Sequence, residues 1–329
     1  MDIALAFDLK SDFAPAGGPD DRLEEYDSRA TVEAIAATLT ELGHTVRLFG
    51  GGRRFLERAL AAPPELVFNF AEGGGGTRSR EAHVPAVCEM LAIPVTHSDP
   101  LTLAVTLDKA MAKRLVAAAG VATPRFAIVD DVDGAALVTL PYPLIAKPLF
   151  EGSSMGIRRH SRVTDAAGLR REVARLLADY DEPVLVEEFC SGPEYTIGIL
   201  GTGASARIVG TMEIAPKLAK PEEFVYSLEV KRDWEREVEY HVPPRQAPEC
   251  VRAAEALALG AYRALGCRDV GRVDVRLTAA GEARFIEINP LPGLNPETGD
   301  LVILARRSGL SYPALIGAIV ASALERSGI

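Results

Sequence analysis

Arg272-Val-Asp-Val-Arg-Leu277, Thr278-Ala-Ala-Gly-Glu282 and Ala283-Arg-Phe-Ile-Glu-Ile-Asn289 follow one another without a gap, and their alternation decides the fold. Successive side chains of an extended chain point to opposite faces. Arg272, Asp274 and Arg276 therefore share one face of the first segment, and Phe285, Glu287 and Asn289 share one face of the second. Val273, Val275, Ile286 and Ile288 form the opposite, core face. A two-residue loop at Ala280-Gly281 makes a hairpin pairing Asp274 with Glu287 and Arg272 with Asn289, whereas a one-residue slip sets Asp274 against isoleucine. Carboxylates opposed across a ladder repel, so a positive group belongs between them. Two carboxylates and an amide oxygen, with room for phosphate and water oxygens, suit Mg²⁺. The alternative is a solvated face on which Arg272 and Arg276 neutralise the acids. Asn289-Pro-Leu-Pro-Gly-Leu294 then stops the strand, fixing Asn289 and exposing backbone N–H groups beside a ligand.

Outward from this hairpin, the chain from Glu194 alternates polar and apolar residues as an antiparallel sheet with one solvated or site-lining face does. Helices over about Pro248 to Leu265 and Pro313 to Arg326 cover it. The first hundred residues read differently. Strands at Ile3 to Phe7, Thr45 to Phe49 and Leu66 to Phe70 alternate with a helix that Asp27 or Ser28 caps and Gly43 stops, which is βαβ material for a parallel sheet. An Ala-rich helical region from Leu101 to Gly120 leads into a central strand, Gly/Ser loop, strand and helix pattern up to Tyr180. The expected units are 1–97, 98–186 and 187–329.

With 329 residues, 48% apolar, the chain has material for more than one core. A formal charge of −10 argues against nucleic acid as the main partner, since binding it needs a concentrated basic face. Cys88, Cys190, Cys250 and Cys267 form no CxxC pair and read as reduced core thiols of a cytoplasmic protein. No run reaches the roughly 18 apolar residues of a membrane span, and the N-terminus reads as a strand, not a signal peptide.

A second chemical stretch follows the apolar strand Leu144-Ile-Ala-Lys-Pro148. Leu149-Phe-Glu-Gly-Ser-Ser-Met-Gly156 supplies two glycines and two serines, whose backbone N–H groups approach phosphate oxygens while Lys147 adds a point charge. No GK[ST] occurs, and Gly73 to Gly76 lacks the Rossmann spacing. Gly152 to Gly156 also satisfies GxSxG, a serine hydrolase elbow with Ser154 as nucleophile and His160 or His241 as base. Against that, Pro148 interrupts the approach and Ile157 to His160 reads as a strand where an elbow needs a helix. His83 and His97 read as packing or surface residues.

Taken in order, Phe68-Asn69, Leu107-Asp108-Lys109, the Lys147 to Gly156 loop, Val184-Leu-Val-Glu-Glu-Phe189, Ser191-Gly-Pro-Glu194, Arg272-Val-Asp274 and Glu287-Ile-Asn289 resemble the ATP-grasp superfamily. Within it the chain is similar to the D-alanine:D-alanine ligases over nearly its whole length. The resemblance implies an α/β (α+β) three-domain fold: an N-terminal parallel βαβ domain, a small central domain and a C-terminal antiparallel-sheet domain covered by helices. It implies ATP between the last two, with Lys109 and Lys147 on the α and β phosphates and Glu151, Ser153 and Ser154 in the loop over the triphosphate. Glu187, Glu188, Phe189 and Cys190 belong to the hinge that reads adenine, and Glu194 takes the ribose hydroxyls. Asp274, Glu287 and Asn289 match ligands of two Mg²⁺ ions. Arg272 and the Gly293 backbone N–H match the groups that stabilise the tetrahedral intermediate. Lys231, in the charged stretch Lys217 to Tyr240, matches a lid lysine that reaches the γ-phosphate. The implied reaction activates a carboxylate as an acyl phosphate, which an amine then attacks. The family resemblance also implies small-molecule carboxylate and amine substrates and a homodimer.

Departures fall where the amino acids should bind. Tyr26 stands where the family has a glutamate for the first substrate's ammonium, which makes the adjacent Glu25 the candidate. Glu72 replaces a histidine of the second-substrate region. Arg232 replaces the tyrosine after the lid lysine, and Thr298 stands where a serine takes the second substrate's carboxylate. These departures point to a relative acting on a different carboxylate or amine. The alternatives are an authentic D-alanine:D-alanine ligase with a drifted N-terminal site, a protein that holds ATP without turnover, and the GxSxG hydrolase.

Overall fold

The computed structural model describes residues 1–13 and 17–329, and its strands form three sheets. In the first, β1 (Asp2–Ala6), β2 (Thr45–Leu48) and β3 (Leu66–Asn69) run parallel in the order β2-β1-β3. Helix α1 (Arg29–Glu41) starts where the Ser28 hydroxyl accepts from the Thr31 backbone N–H at 3.2 Å, and Gly43, at φ +89°, follows its end. Helices α2 (Gly52–Ala61) and α3 (His83–Met90) cover the other face. Part of the loop between β1 and α1, residues 14–16, lies outside the described residues.

The Ala-rich region is two helices, α4 (Pro100–Leu107) and α5 (Lys109–Ala118). Asp108 breaks it with ψ of 95°, and its carboxylate caps α5 by accepting from the Met111 N–H at 3.0 Å. The break puts Lys109 at the first position of a helix, buried and turned inward. In the central unit β4 (Phe126–Val129), β5 (Leu144–Pro148), β6 (Arg162–Val163), α6 (Ala166–Tyr180) and β7 (Val184–Glu188) build an antiparallel sheet ordered β4-β7-β5-β6. Ile157 to His160 is not a strand. Gly156, at φ +73°, turns the chain, and a single helical turn at Arg159–Ser161 precedes β6.

The third sheet runs β10-β9-β8-β11-β12, antiparallel throughout. It comprises β8 (Glu194–Leu200), β9 (Arg207–Pro216), β10 (Val238–His241), β11 (Val270–Leu277) and β12 (Ala283–Asn289), with α7 (Leu228–Arg232) and α8 (Trp234–Glu237) between β9 and β10. Helix α9 (Pro248–Ala264) packs Ala254, Ala258 and Tyr262 against Tyr195, Ile197, Val273, Val275 and Phe285. The other face of the sheet carries the site.

Helices α10 (Asp300–Arg307) and α11 (Tyr312–Ser327) divide the work expected of one covering layer. Leu301 and Leu304 of α10 lie against β8, where a Cβ at Gly198 would come within 2.8 Å of Leu301. Helix α11 instead inserts Leu315, Ile316 and Ile319 among Ile3, Leu5, Ile35 and Leu39, so the first and third units share a core. Ile319→Ala is therefore expected to cost about 2–5 kcal/mol of stability, read as a lower urea midpoint. Cys88, Cys190 and Cys267 are buried, and all four cysteines are free thiols. No single described helix is long and apolar enough to cross a membrane.

The hairpin has the expected pairing at its functional end, with Arg272 opposite Asn289 and Asp274 opposite Glu287. Its other end differs. The loop is a turn of Ala279, Ala280 and Gly281, closed by the Thr278 N–H donating to the Glu282 carbonyl at 2.9 Å, with Gly281 at φ +81°. A bulge at Ile286 absorbs the extra residue, so Val275 faces Phe285. Phe285 thereby joins the core, fully buried, and Ile286 turns to the site, the reverse of strict alternation. Contacts across the edge hold this arrangement: the Phe285 N–H donates to the Ala122 carbonyl at 2.8 Å, and its carbonyl accepts from Thr123 Oγ1 at 2.8 Å.

Candidate active site

Two cavities meet at the acid-bearing face of β11 and β12, and Arg272 and Glu287 line both. The Arg272 guanidinium donates to Asp274, with Nη2 2.8 Å from Oδ2, and lies 3.8 Å from Asp300. Thr196 Oγ1 donates to Asp274 Oδ1 at 3.1 Å, and Asn289 Nδ2 lies 3.4 Å from Oδ2. Arg276 does not serve these acids; it turns to Glu194, 3.7 Å away, and to the Phe224 carbonyl. Glu287 has no hydrogen-bond or ion-pair partner among the described residues. Burial pushes its carboxyl up, but the charges of Lys109, Lys147, Arg272 and Lys231 more than reverse this and hold it near about 2. Asp274 moves the other way, raised by burial more than Arg272 lowers it, and raised further by Glu287. Two hard carboxylates and a carboxamide oxygen, one acid without a protein partner, fit Mg²⁺.

The first cavity, about 690 Å³, lies between the central and third sheets. Lys147, Ser154, Glu187, Glu188, Phe189, Cys190, Glu194 and Lys231 all line it. The Glu187 carboxylate is buried between two ammonium groups, Lys147 and Lys113, each at 2.7 Å. Phe189 lies under the Arg276 guanidinium at 4.5 Å and the Arg162 guanidinium at 5.1 Å. Glu188 is also bound by Arg125 at the surface. Opposite, the Tyr226 carbonyl accepts from Ser154 Oγ at 3.3 Å and the Leu228 N–H donates to the Ile157 carbonyl at 3.0 Å, so the charged stretch rests on the Gly/Ser loop. Lys231 lies 5.3 Å from the Tyr226 ring centre.

The Gly/Ser loop straddles the two cavities, with Ser154 on the first and Ser153 on the second. Both serines adopt left-handed backbone, at φ +49° and +59°, a strain that non-glycine residues bear mainly at functional sites. No histidine reaches Ser154: His160 pairs with Glu172 and His241 lies beside Glu239, which leaves the hydrolase reading without a base.

The second cavity, about 830 Å³, is lined by Glu25, Glu72, Lys109, Glu151, Ser153 and Gly293, and also by Asp27 and Glu81. Arg80, 3% exposed, binds both oxygens of Glu25 at 2.9 Å and Glu151 at 3.0 Å. The Lys109 ammonium donates to the Glu151 carbonyl. Three residues expected near the substrates line neither cavity. Tyr26 stacks on Phe13 with ring centres 4.1 Å apart, because its turn buries the ring and leaves Glu25 facing the cavity. Arg232 points away from both cavities to Asp20 at 2.6 Å and Glu24 at 3.0 Å, fastening the charged stretch to the first unit. Thr298 is exposed in a groove beside Trp234 and Arg306, held there by its N–H donating to Asn295 Oδ1 at 3.0 Å.

Reading along the chain gives no role to Arg80 and Glu81 beside Glu72 or to Asp300 beside Thr298, and passes over Lys113. Lys113 alone carries a local signal: it lies one helical turn beyond Lys109, on the face of α5 that turns inward. His97 is packing as expected, fully buried edge-on to Phe68, with burial pushing its imidazole down to about 3.

A family model described as the D-ala D-ala ligase C-terminus matches residues 115–321. A D-alanine–D-alanine ligase of Bordetella petrii is 34% identical over 297 residues, spanning 88% of this chain and 86% of its own. One from Moorella thermoacetica is 31% identical over 319 residues, spanning 94% and 97%. The crystal structure of a Bacillus anthracis D-alanine–D-alanine ligase complexed with ATP shares the fold, with a TM-score of 0.72 over 99% of this chain and 98% of that one at 18% identity. With the paired cavities and their shared acid face, these matches establish that the chain belongs to the D-alanine:D-alanine ligase family of ATP-dependent carboxylate–amine ligases within the ATP-grasp superfamily.

Proposed function

We propose that this enzyme joins a small carboxylate to an amine other than the D-alanine pair, forming a dipeptide or related amide with release of ADP and phosphate. The observation that supports the reading is the acid face shared by the two cavities, with Arg272 and Glu287 lining both, Asp274 the first and Asn289 the second. In this reading Glu187, Glu188, Phe189 and Cys190 hold the base and Glu194 the ribose. Lys109, Lys147 and the Glu151–Ser153–Ser154 loop hold the phosphates, and Lys231 reaches the terminal one. Asp274, Glu287 and Asn289 hold two Mg²⁺ ions, which supply charge neutralisation to the phosphoryl oxygens.

The carboxylate oxygen bonds to the γ-phosphorus as the bond to ADP breaks; the amine nitrogen then bonds to the acyl carbon, phosphate leaves and the nitrogen loses a proton. Arg272 faces the oxygens on which negative charge develops in both steps, and the Gly293 N–H adds a second donor. The Glu25–Arg80 pair fixes the wall that receives the first substrate.

Phosphate release with MgATP and a panel of D- and L-amino acids, followed by mass spectrometry of the product, tests this. Turnover with a pair other than D-alanine with itself is the expected result. Turnover with D-alanine alone makes the chain an authentic D-alanine:D-alanine ligase, and none with any pair leaves an ATP-holding protein.

A further inference from the structure

The cations around the second cavity are engaged. Arg80 serves Glu25 and Glu151, Lys109 the Glu151 carbonyl, and Arg272 Asp274. That leaves Asp27, Glu72 and Glu81 on the wall contributed by the first unit, of which Asp27 has the Thr31 hydroxyl as a partner. Glu81 is 8% exposed and lines the cavity, yet no described residue donates a hydrogen bond to it or pairs with it. Glu72 faces the same space, and burial followed by the Glu81 charge pushes its carboxyl well up. Two neighbouring carboxylates on one cavity wall, whose charges Arg80 and Lys109 only partly offset, are unfavourable as anions and hold a proton unless a ligand supplies a further cation. Thr298, the only residue expected to take a second-substrate carboxylate, lies outside the cavity.

We infer that the second cavity accepts an amine substrate with two cationic nitrogens, a diamine or a diamino acid, whose spare ammonium sits between Glu72 and Glu81. The inference rests on the ligase reading above and names the class of amine it uses. The reacting nitrogen loses its proton and faces the acyl group at Arg272 and Gly293, while the second stays protonated on the acidic wall. Hydrogen bonds to charged groups of this kind are worth about 10- to 100-fold in binding.

The test measures ADP release with MgATP and a mixture of amino-acid carboxylate donors while the nucleophile is varied. Ethylamine and alanine are compared with 1,3-diaminopropane, 2,3-diaminopropionate and ornithine. The diamines and diamino acids are expected to exceed the monoamines in kcat/KM by about 10- to 100-fold. Glu81→Gln and, separately, Glu72→Gln should collapse that ratio, chiefly through KM; diamine against diamino acid then identifies the source of the ammonium. Equal kcat/KM for both classes, or a ratio that neither variant moves, overturns the inference and leaves the ligase intact. If no nucleophile supports turnover the ligase reading fails. Thermal shift with 1,3-diaminopropane then decides the site: stabilisation of the wild type but not of Glu81→Gln supports it, and no stabilisation overturns it.

Discussion

Glu287→Gln is expected to lower MgATP-dependent ADP release by about 10²–10³-fold while leaving the fold intact. Glutamine keeps the volume and the strand pairing opposite Asp274, so the change isolates one charge. That charge is the one acid of the face with no partner among the described residues, and Lys109, Lys147, Arg272 and Lys231 all act on it. On the proposed reading its removal leaves Asp274, already bound by Arg272 at 2.8 Å, as the one acid of the pair to hold a divalent ion. The loss should appear as weaker Mg²⁺ dependence of nucleotide binding as well as slower turnover. Stability without nucleotide should fall, because Lys109, Lys147, Arg272 and Lys231 favour this charge in the folded protein by more than the like charge of Asp274 opposite it opposes it. Turnover within about twofold of the wild type, at equal Mg²⁺, would remove the acid face from the mechanism.

Glu187→Gln should have the largest effect on stability, a loss of about 3–5 kcal/mol in urea unfolding without nucleotide. The wild-type carboxylate holds two buried ammonium groups, each at 2.7 Å, and the amide leaves both without a carboxylate in contact, with only the more distant Glu287 charge to offset them. Lys113→Met should cost less, since Glu187 keeps Lys147. The pair also sets a pH dependence. Burial alone raises the Glu187 carboxyl, and Lys113 and Lys147 more than reverse this to hold it below the ordinary value of 4.5. A depressed carboxylate contributes fully above that value and is lost as pH falls through the lower folded one. The wild type should therefore lose stability faster than Glu187→Gln on acidification below about pH 4.5. Parallel acid-unfolding curves for the two proteins would show that Glu187 is not the buried anion of this cluster.

How far the site was legible in the chain varies with the range of the interaction that places each residue. Asp274, Glu287 and Asn289 were readable because strand period and the isoleucines on the other face permit one parity at that end of the hairpin. Phe285 and Ile286 were not, because the bulge answers to Ala122, Thr123 and Lys113, far away in sequence. Tyr26 and Glu25 are neighbours, yet the stacking of Tyr26 on Phe13 and the hold of Arg80 on Glu25 determine which of them faces the cavity. Arg80 and Glu81 form one short turn, and their opposite fates, one saturated with carboxylates and one without a partner, depend on Glu25 and Glu151.

Period, turn residues and ordered motifs were enough for the parallel first sheet, the antiparallel third sheet, the shared acid face and the family, since each rests on neighbours within a strand, a turn or a helix cap. Tertiary contact alone decided that α11 seals the first unit, that Lys113 joins Lys147 on Glu187, and that Arg232 leaves the cavities for Asp20 and Glu24. The physical reason is that alternation and capping act over a few residues of chain. The pairing and burial of charge depend on which distant residues the packed units bring to the same wall.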